Sequence, residues 1–302
     1  MTRIINEIDK KIFLEEKCFI PTMGALHKGH LSLVKLGKQS TNGKTIVSIF
    51  VNKRQFNDES DYDNYPIDLD KDIELLRKEE VDYIFVPDEN YIYPKDFVEL
   101  DGIESGEKGS LFEGAHRPGH FDGVLTVVNR LFELVNPTSA VFGKKDAQQL
   151  YLVKEFFANK SNNLKIIEAE IIRDEYGLAM SSRNRLLSKS GINIARNIFQ
   201  ILKNTKEHFF QNQDIQQAEA FGKELFNEND IEYDYLNFVD PKYFETPDKN
   251  QEKLLLITAA YVEGIRLIDN MEVIPVSYTH LRAHETPEHR VCRHQREKKI
   301  GV

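Results

Sequence analysis

Two histidines three residues apart carry the clearest chemical signal in this chain. His27 and His30 lie in the stretch Pro21-Thr22-Met23-Gly24-Ala25-Leu26-His27-Lys28-Gly29-His30. The apolar run Cys18-Phe19-Ile20 before it reads as a buried strand, and Leu31, Leu33, Val34 and Leu36 after it read as a helix. The motif therefore spans a strand-to-helix junction. Gly24 and Gly29 let the backbone approach a bulky anion. A helix N-terminus offers phosphate unpaired N–H groups, and two imidazoles can donate to phosphoryl oxygens as charge develops. Taken alone, the same residues also suit a glycine-rich turn with solvated histidines. A His pair can bind a metal as well, but no third ligand lies nearby in sequence.

Four further segments are rich in polar chemistry. In Phe50-Val51-Asn52-Lys53-Arg54-Gln55-Phe56, just past a strand end, Asn52 and Gln55 are placed to hydrogen-bond a small polar substrate. Glu113 to Val124 holds Arg117 and His120 in a glycine-rich run and reads as an active-site loop. Gly143-Lys144-Lys145-Asp146, followed by Gln148 and Gln149, suits phosphate at a helix start, with Asp146 an alternative N-cap. Gly177-Leu178-Ala179-Met180-Ser181-Ser182-Arg183-Asn184 offers two hydroxyls and a guanidinium to a polyphosphate. Each of these, taken singly, is equally an ordinary polar loop.

The elements that must position these groups follow a strand–helix rhythm. Strands are predicted at 44–51, 82–87, 139–142 and 164–172, with helices at 68–79, 124–135 and 147–157. That alternation predicts an α/β fold with a parallel sheet. After about residue 175 the order changes to helices at 189–209 and 214–227, then strands at 232–239, 254–262 and 265–268. The expected organisation is a domain over 1–174, a smaller α+β domain over 175–274 and a tail over 275–302.

Composition narrows the class. With 302 residues, 40% hydrophobic and 29% charged, the chain suits one large or two ordinary globular domains. It has no apolar run long enough for a transmembrane helix and no signal-peptide core near its start, so cytoplasmic residence is expected. The net charge of −9 argues against a nucleic-acid partner. Cys18 and Cys292 give no disulfide framework. The tail breaks the composition: it gathers His280, His284, His289, Cys292 and His294, whose spacing fits no ordinary zinc pattern. Its string Ser277 to Thr286 resembles translated adaptor or vector sequence, so the tail is read as a fusion scar.

Taken together, the motifs at 21–30, 48–56, 117–124, 142–149, 177–184 and 266–270, with Tyr65-Pro66 between them, resemble those of the pantoate–β-alanine ligase family, the pantothenate synthetases. The resemblance covers about residues 2–274. It implies a Rossmann-like parallel sheet with a smaller C-terminal domain that helps close over ATP. It also implies ATP-dependent condensation of pantoate with β-alanine through a pantoyl adenylate, with Mg²⁺, in a cytoplasmic homodimer.

The resemblance carries residue roles with it. Met23, Gly24, Ala25, Leu26, His27, Lys28, Gly29 and His30 would line ATP, with His30 as proton donor. Gly143, Lys144, Lys145, Asp146, Ile172, Met180, Ser181, Ser182 and Arg183 would complete the nucleotide site. His27, His30, Lys145 and Arg183 would be the catalytic groups, Gln55 and Gln149 would hold pantoate, and Gln55 would also hold β-alanine. Asp70 and Asp72 are candidate metal-water contacts. The chain departs from the family pattern at Lys53-Arg54 after Asn52, at Lys144 in place of an acid, and at Ala147 in place of an aromatic. Two rival expectations are a superfamily relative acting on a phosphate acceptor and a non-catalytic nucleotide-binding module.

Overall fold

The computed structural model describes residues 2–57, 59–95, 103–158, 160, 164–248 and 251–275. The tail from 276 onward, with the histidines and the cysteine of the zinc and fusion-scar readings, lies outside the described residues.

Six strands form the first sheet: β1 (Arg3–Ile5), β2 (Lys17–Thr22), β3 (Lys44–Ile49), β4 (Tyr83–Phe85), β5 (Ser139–Gly143) and β6 (Lys165–Ala169). All are parallel, in the order β1-β4-β3-β2-β5-β6. Parallel strands need crossovers, and helices covering both faces explain why β2 and β3 are apolar almost throughout. Phe19, Ile46 and Phe85 pack on one side with the helix His120–Val135, while Ile20, Val47 and Ile84 pack on the other with Leu76. The chain reverses its direction of travel across the sheet at β2 and β5. Open α/β sheets bind ligands beyond the carboxyl ends of strands at such a switch point.

The second unit places the helices Lys189–Asn212 and Ile215–Glu228 beside an antiparallel sheet of β7 (Glu232–Val239), β8 (Leu254–Val262) and β9 (Ile265–Val273). Ile198, Leu202, Phe209, Phe226, Leu236 and Leu256 make its separate core.

The observed elements differ from expectation in ways that bear on the site. β1 has no counterpart among the predicted strands, because three residues are too few to show alternation. β3 ends at Ile49 and β6 at Ala169, so Phe50 and Glu170 to Ile172 leave the sheet and turn into the cavity described below. β9 runs five residues past its predicted end: Asp269 and Asn270 interrupt the apolar pattern, yet both are buried in the strand. The supposed loop before 124 is a helical turn, Glu113–His116, followed by a helix that already begins at His120.

Gly123 sets how closely that helix approaches the Lys53–Gln55 turn. A Cβ there would sit 2.4 Å from the Arg54 carbonyl oxygen. Gly123→Ala is therefore expected to lower stability by about 1–3 kcal/mol through overpacking, read as a lower melting temperature; an unchanged melting temperature would contradict this packing.

Candidate active site

The histidine motif is built on a turn that backbone preference alone would not produce. Gly24 has φ +83° and Ala25 has φ +51°, a left-handed conformation that costs a residue with a Cβ. Asp72, on the helix Leu69–Lys78, holds the turn in place. Its Oδ2 accepts the Ala25 N–H at 2.7 Å and its Oδ1 accepts the Leu26 N–H at 2.8 Å. The Ser182 hydroxyl donates to the Ala25 carbonyl at 3.1 Å, and Arg185 donates to the Leu26 carbonyl at 2.6 Å.

This turn fixes where several of the expected groups lie. Gly24, Ala25 and Leu26 shape the wall but do not line the cavity, because the N–H groups of the last two are spent on Asp72. Lys28 is exposed and does not line the cavity either. Asp72 is 1% exposed and gives each oxygen to a backbone N–H of the turn, acting as its clamp, and Asp70 is exposed beside it.

The imidazoles are held as neutral groups. His27 caps the helix Lys28–Ser40: its Nδ1 accepts the Gly29 N–H at 3.1 Å, which places the proton of the neutral ring on Nε2. A Cβ on Gly29 would lie 2.8 Å from His27 Cε1, so only glycine leaves the ring in this position. The two rings lie 4.1 Å apart between centroids. Burial, reinforced by the charges of Lys145 and Arg185, lowers His27 to about 4. Burial, with His27 and the same cations, holds His30 well below its ordinary value. In the free protein His30 is thus a neutral imidazole with one N–H to donate. Its Nδ1 is shielded from solvent and has no partner among the described residues.

A cavity of about 230 Å³ opens between the ends of β2 and β5. Among the expected residues, Met23, His27, Gly29, His30, Gln55, Gly143, Lys145, Asp146, Gln149, Ile172, Met180, Ser181, Ser182 and Arg183 all line it. Lys145 lies 3.3 Å from Asp146, and Arg183 pairs with Asp61, its Nη2 2.9 Å from Oδ2. Lys144 does not line the cavity. It turns outward to pair with Glu170 and, at 3.2 Å, with Glu272 of β9, so the base that replaces the family's acid serves as a surface tie. Lys53 is likewise exposed and pairs with Glu59 at 3.3 Å.

The second unit fixes the loop that carries Lys145. Asn270 Nδ2 donates to the carbonyls of Lys144 and Lys145, both at 2.9 Å. Arg173 grips Asp269 in a bidentate pair at 2.6 and 2.8 Å. A second tie centres on Glu113, which accepts from Arg266 of β9 at 2.6 Å, from Arg117 at 3.3 Å and from the Tyr235 hydroxyl at 3.2 Å. Burial pushes the Glu113 carboxyl up, but Arg266 and Arg117 outweigh it and hold the group below its ordinary value. Arg117 and His120 line a smaller recess that shares Lys145, Asp146, Gln149 and Arg183 with the main cavity. His120 donates from Nδ1 to the Gln55 carbonyl at 2.7 Å, so its Nε2 accepts from Arg117 at 3.1 Å. Asp61, Arg185 and Tyr235 had no signal in sequence spacing, since their partners lie more than a hundred residues away.

Fold and cavity together define a Rossmann-like α/β protein whose switch-point cleft is lined by imidazoles, amides and cations. A pantoate-beta-alanine ligase family model matches residues 2–272. The chain belongs to that family. It is 43% identical over 273 residues to the pantothenate synthetase of Caldicellulosiruptor bescii, covering 89% of this chain and 96% of that one. The crystal structure of pantothenate synthetase from Thermus thermophilus superposes with a TM-score of 0.84 at 36% identity, covering 90% of this chain and all of that one. The Francisella tularensis pantoate-beta-alanine ligase, solved with beta-gamma ATP and beta-alanine, gives a TM-score of 0.72 at 33% identity, covering 90% and 97%.

His120 makes a testable contribution to acid sensitivity. Burial, and then the Arg117 charge, lower it to about 4 in the fold, against about 6.5 when unfolded. Between those values the unfolded chain binds the extra proton, so stability present above pH 6.5 is lost as pH falls toward 4. The shift corresponds to about 3 kcal/mol over that window. In His120→Asn the dependence of melting temperature on pH between 7 and 5 should flatten relative to wild type; parallel profiles would contradict this assignment.

Proposed function

We propose that this chain joins pantoate to β-alanine at the expense of ATP, through a pantoyl adenylate, yielding pantothenate, AMP and pyrophosphate. The observation that carries the reading is the convergence of His27, His30, Gln55, Lys145, Gln149 and Arg183 on one switch-point cavity, in a chain of the pantoate-beta-alanine ligase family. The domain division at 174/175, a closing role for the second unit, cytoplasmic residence and a homodimer belong to the same reading, on the family resemblance.

A carboxylate acylates an amine only after its oxygen gains a good leaving group. In the first step a pantoate carboxylate oxygen attacks the α-phosphorus and pyrophosphate leaves. In the second, the β-alanine nitrogen attacks the acyl carbon, loses a proton, and AMP departs with the former carboxylate oxygen. The first step brings two anions together, so catalysis rests on positioning and charge compensation. Lys145 and Arg183 supply positive charge. His27 supplies a neutral Nε2–H donor, and His30 lines the same cavity beside it, where it meets nucleotide phosphate. Met23, Gly29, Gly143, Asp146, Ile172, Met180, Ser181 and Ser182 surround the nucleotide, while Gln55 and Gln149 hold pantoate and Gln55 also meets β-alanine. Arg183 must exchange Asp61 for phosphate when nucleotide enters.

Among the described residues no cluster of three or more His, Cys, Asp or Glu could cage a metal ion. Magnesium usually keeps several waters and binds through substrate phosphates. Such an ion fits here as a companion of ATP, neutralising phosphate charge when bound. The donors in this chain then hold the nucleotide rather than the metal.

Mass-spectrometric detection of pantothenate from pantoate, β-alanine, ATP and Mg²⁺ tests the reading. Wild-type protein should form it, and His30→Ala or Lys145→Ala should slow it by roughly 10²–10³, the cost of one lost transition-state donor. No product from folded wild type, or full activity in both variants, would refute the reading.

A further inference from the structure

Gln55 can face the cavity with either end of its amide, and the protein around it decides which. The Gly123 carbonyl can only accept, so the Asn52 atom 3.1 Å from it is the nitrogen Nδ2. The second hydrogen of that nitrogen goes to Gln55 Oε1, also at 3.1 Å. On its other side Asn52 Oδ1 accepts from the Tyr93 hydroxyl at 3.1 Å. Asn52 is 1% exposed and, with both amide hydrogens engaged and its oxygen accepting from Tyr93, has no N–H left to offer a substrate. Sequence alone places it beside Gln55 as a binding residue; the structure gives it a different job. With Oε1 fixed inward, Gln55 Nε2 faces the cavity, where its nearest protein partner is the Met23 sulfur at 3.1 Å. A thioether is a weak acceptor, so a stronger one on a ligand can displace it.

We infer that Tyr93, which lies outside the cavity wall, is a positioning residue for the acid substrate: through Asn52 it locks the Gln55 amide with its N–H groups toward the cavity, so that this position selects a carboxylate or hydroxyl oxygen. The inference rests on the proposed function, which puts pantoate against Gln55. Two features keep Tyr93 in this role. The Arg54 guanidinium lies over its ring at 4.0 Å. Burial pushes its phenol up to about 12, so the hydroxyl remains a donor throughout the neutral range. Without that donor, Asn52 Oδ1 is a buried acceptor with no partner, and Asn52 gains a reason to rotate away from Gln55.

The test is steady-state kinetics on wild type, Tyr93→Phe and Asn52→Asp, varying pantoate and ATP separately and following pantothenate. Tyr93→Phe keeps the ring and its packing, so it isolates the hydroxyl. Its KM for pantoate should rise by about three- to tenfold, as for one lost neutral hydrogen bond, while kcat and the KM for ATP stay within about twofold. Asn52→Asp, which presents only acceptors to Gln55 Oε1 and the Gly123 carbonyl, should raise the KM for pantoate further. If wild type is active and Tyr93→Phe retains the wild-type KM for pantoate, or loses kcat and both KM values together, Tyr93 is merely structural and the inference is overturned. If wild type makes no pantothenate, the functional reading itself fails and takes this inference with it.

Discussion

The Asp72 carboxylate holds the site together. Its two hydrogen bonds keep Ala25 in a left-handed conformation, and that conformation turns the chain from β2 into the helix that begins after His27. Without the clamp, two buried N–H groups would be orphaned and the strained residue would have nothing to hold it. Ser182 and Arg185 grip the same turn from the far side of the cavity through its carbonyls. One short turn thereby ties the histidine motif, the helix after β3 and the segment 177–186 into a single rigid wall, and the imidazoles inherit their placement from it.

Electrostatics divides the work between two kinds of group. The imidazoles are buried beside fixed cations, which keeps them neutral and makes them hydrogen-bond donors rather than charges. The permanent charges are Lys145 and Arg183, and neither stands alone: Asp146 neighbours the first and Asp61 pairs with the second. Under the proposed function, nucleotide phosphate takes the place of these carboxylates. The second unit contributes at a distance. Asn270 holds the Lys145 loop, Asp269 holds Arg173 and Arg266 holds the Glu113 turn, so β9 supports the cavity wall without entering the main cavity.

The sequence makes the parallel sheet legible because its strands are apolar on both faces and its helices carry a clear stripe; the switch point follows from where the motifs fall on those strands. The cavity-lining residues are legible for a related reason: each motif sits at the end of an element. The supports are harder to read. Asp72 has the look of a helix acid open to solvent or metal, and only the fold reveals that it faces the turn at 24–26. Arg266 and Glu113 meet across 153 residues, a separation at which spacing carries no information. Asp269 and Asn270 cut the predicted strand short because polar residues inside a sheet read as its end, whereas here Arg173 and the Lys145 loop satisfy them. Lys144 has the look of a change in the nucleotide site and is instead a link between units.

The central claim is that a pantoate oxygen becomes bonded to the α-phosphorus of ATP within this cavity. The most direct measurement is mass spectrometry of AMP formed from pantoate labelled with ¹⁸O in its carboxylate. The account predicts one labelled oxygen in AMP and none in pyrophosphate. Unlabelled AMP, or label in a phosphate released alongside ADP, would contradict it.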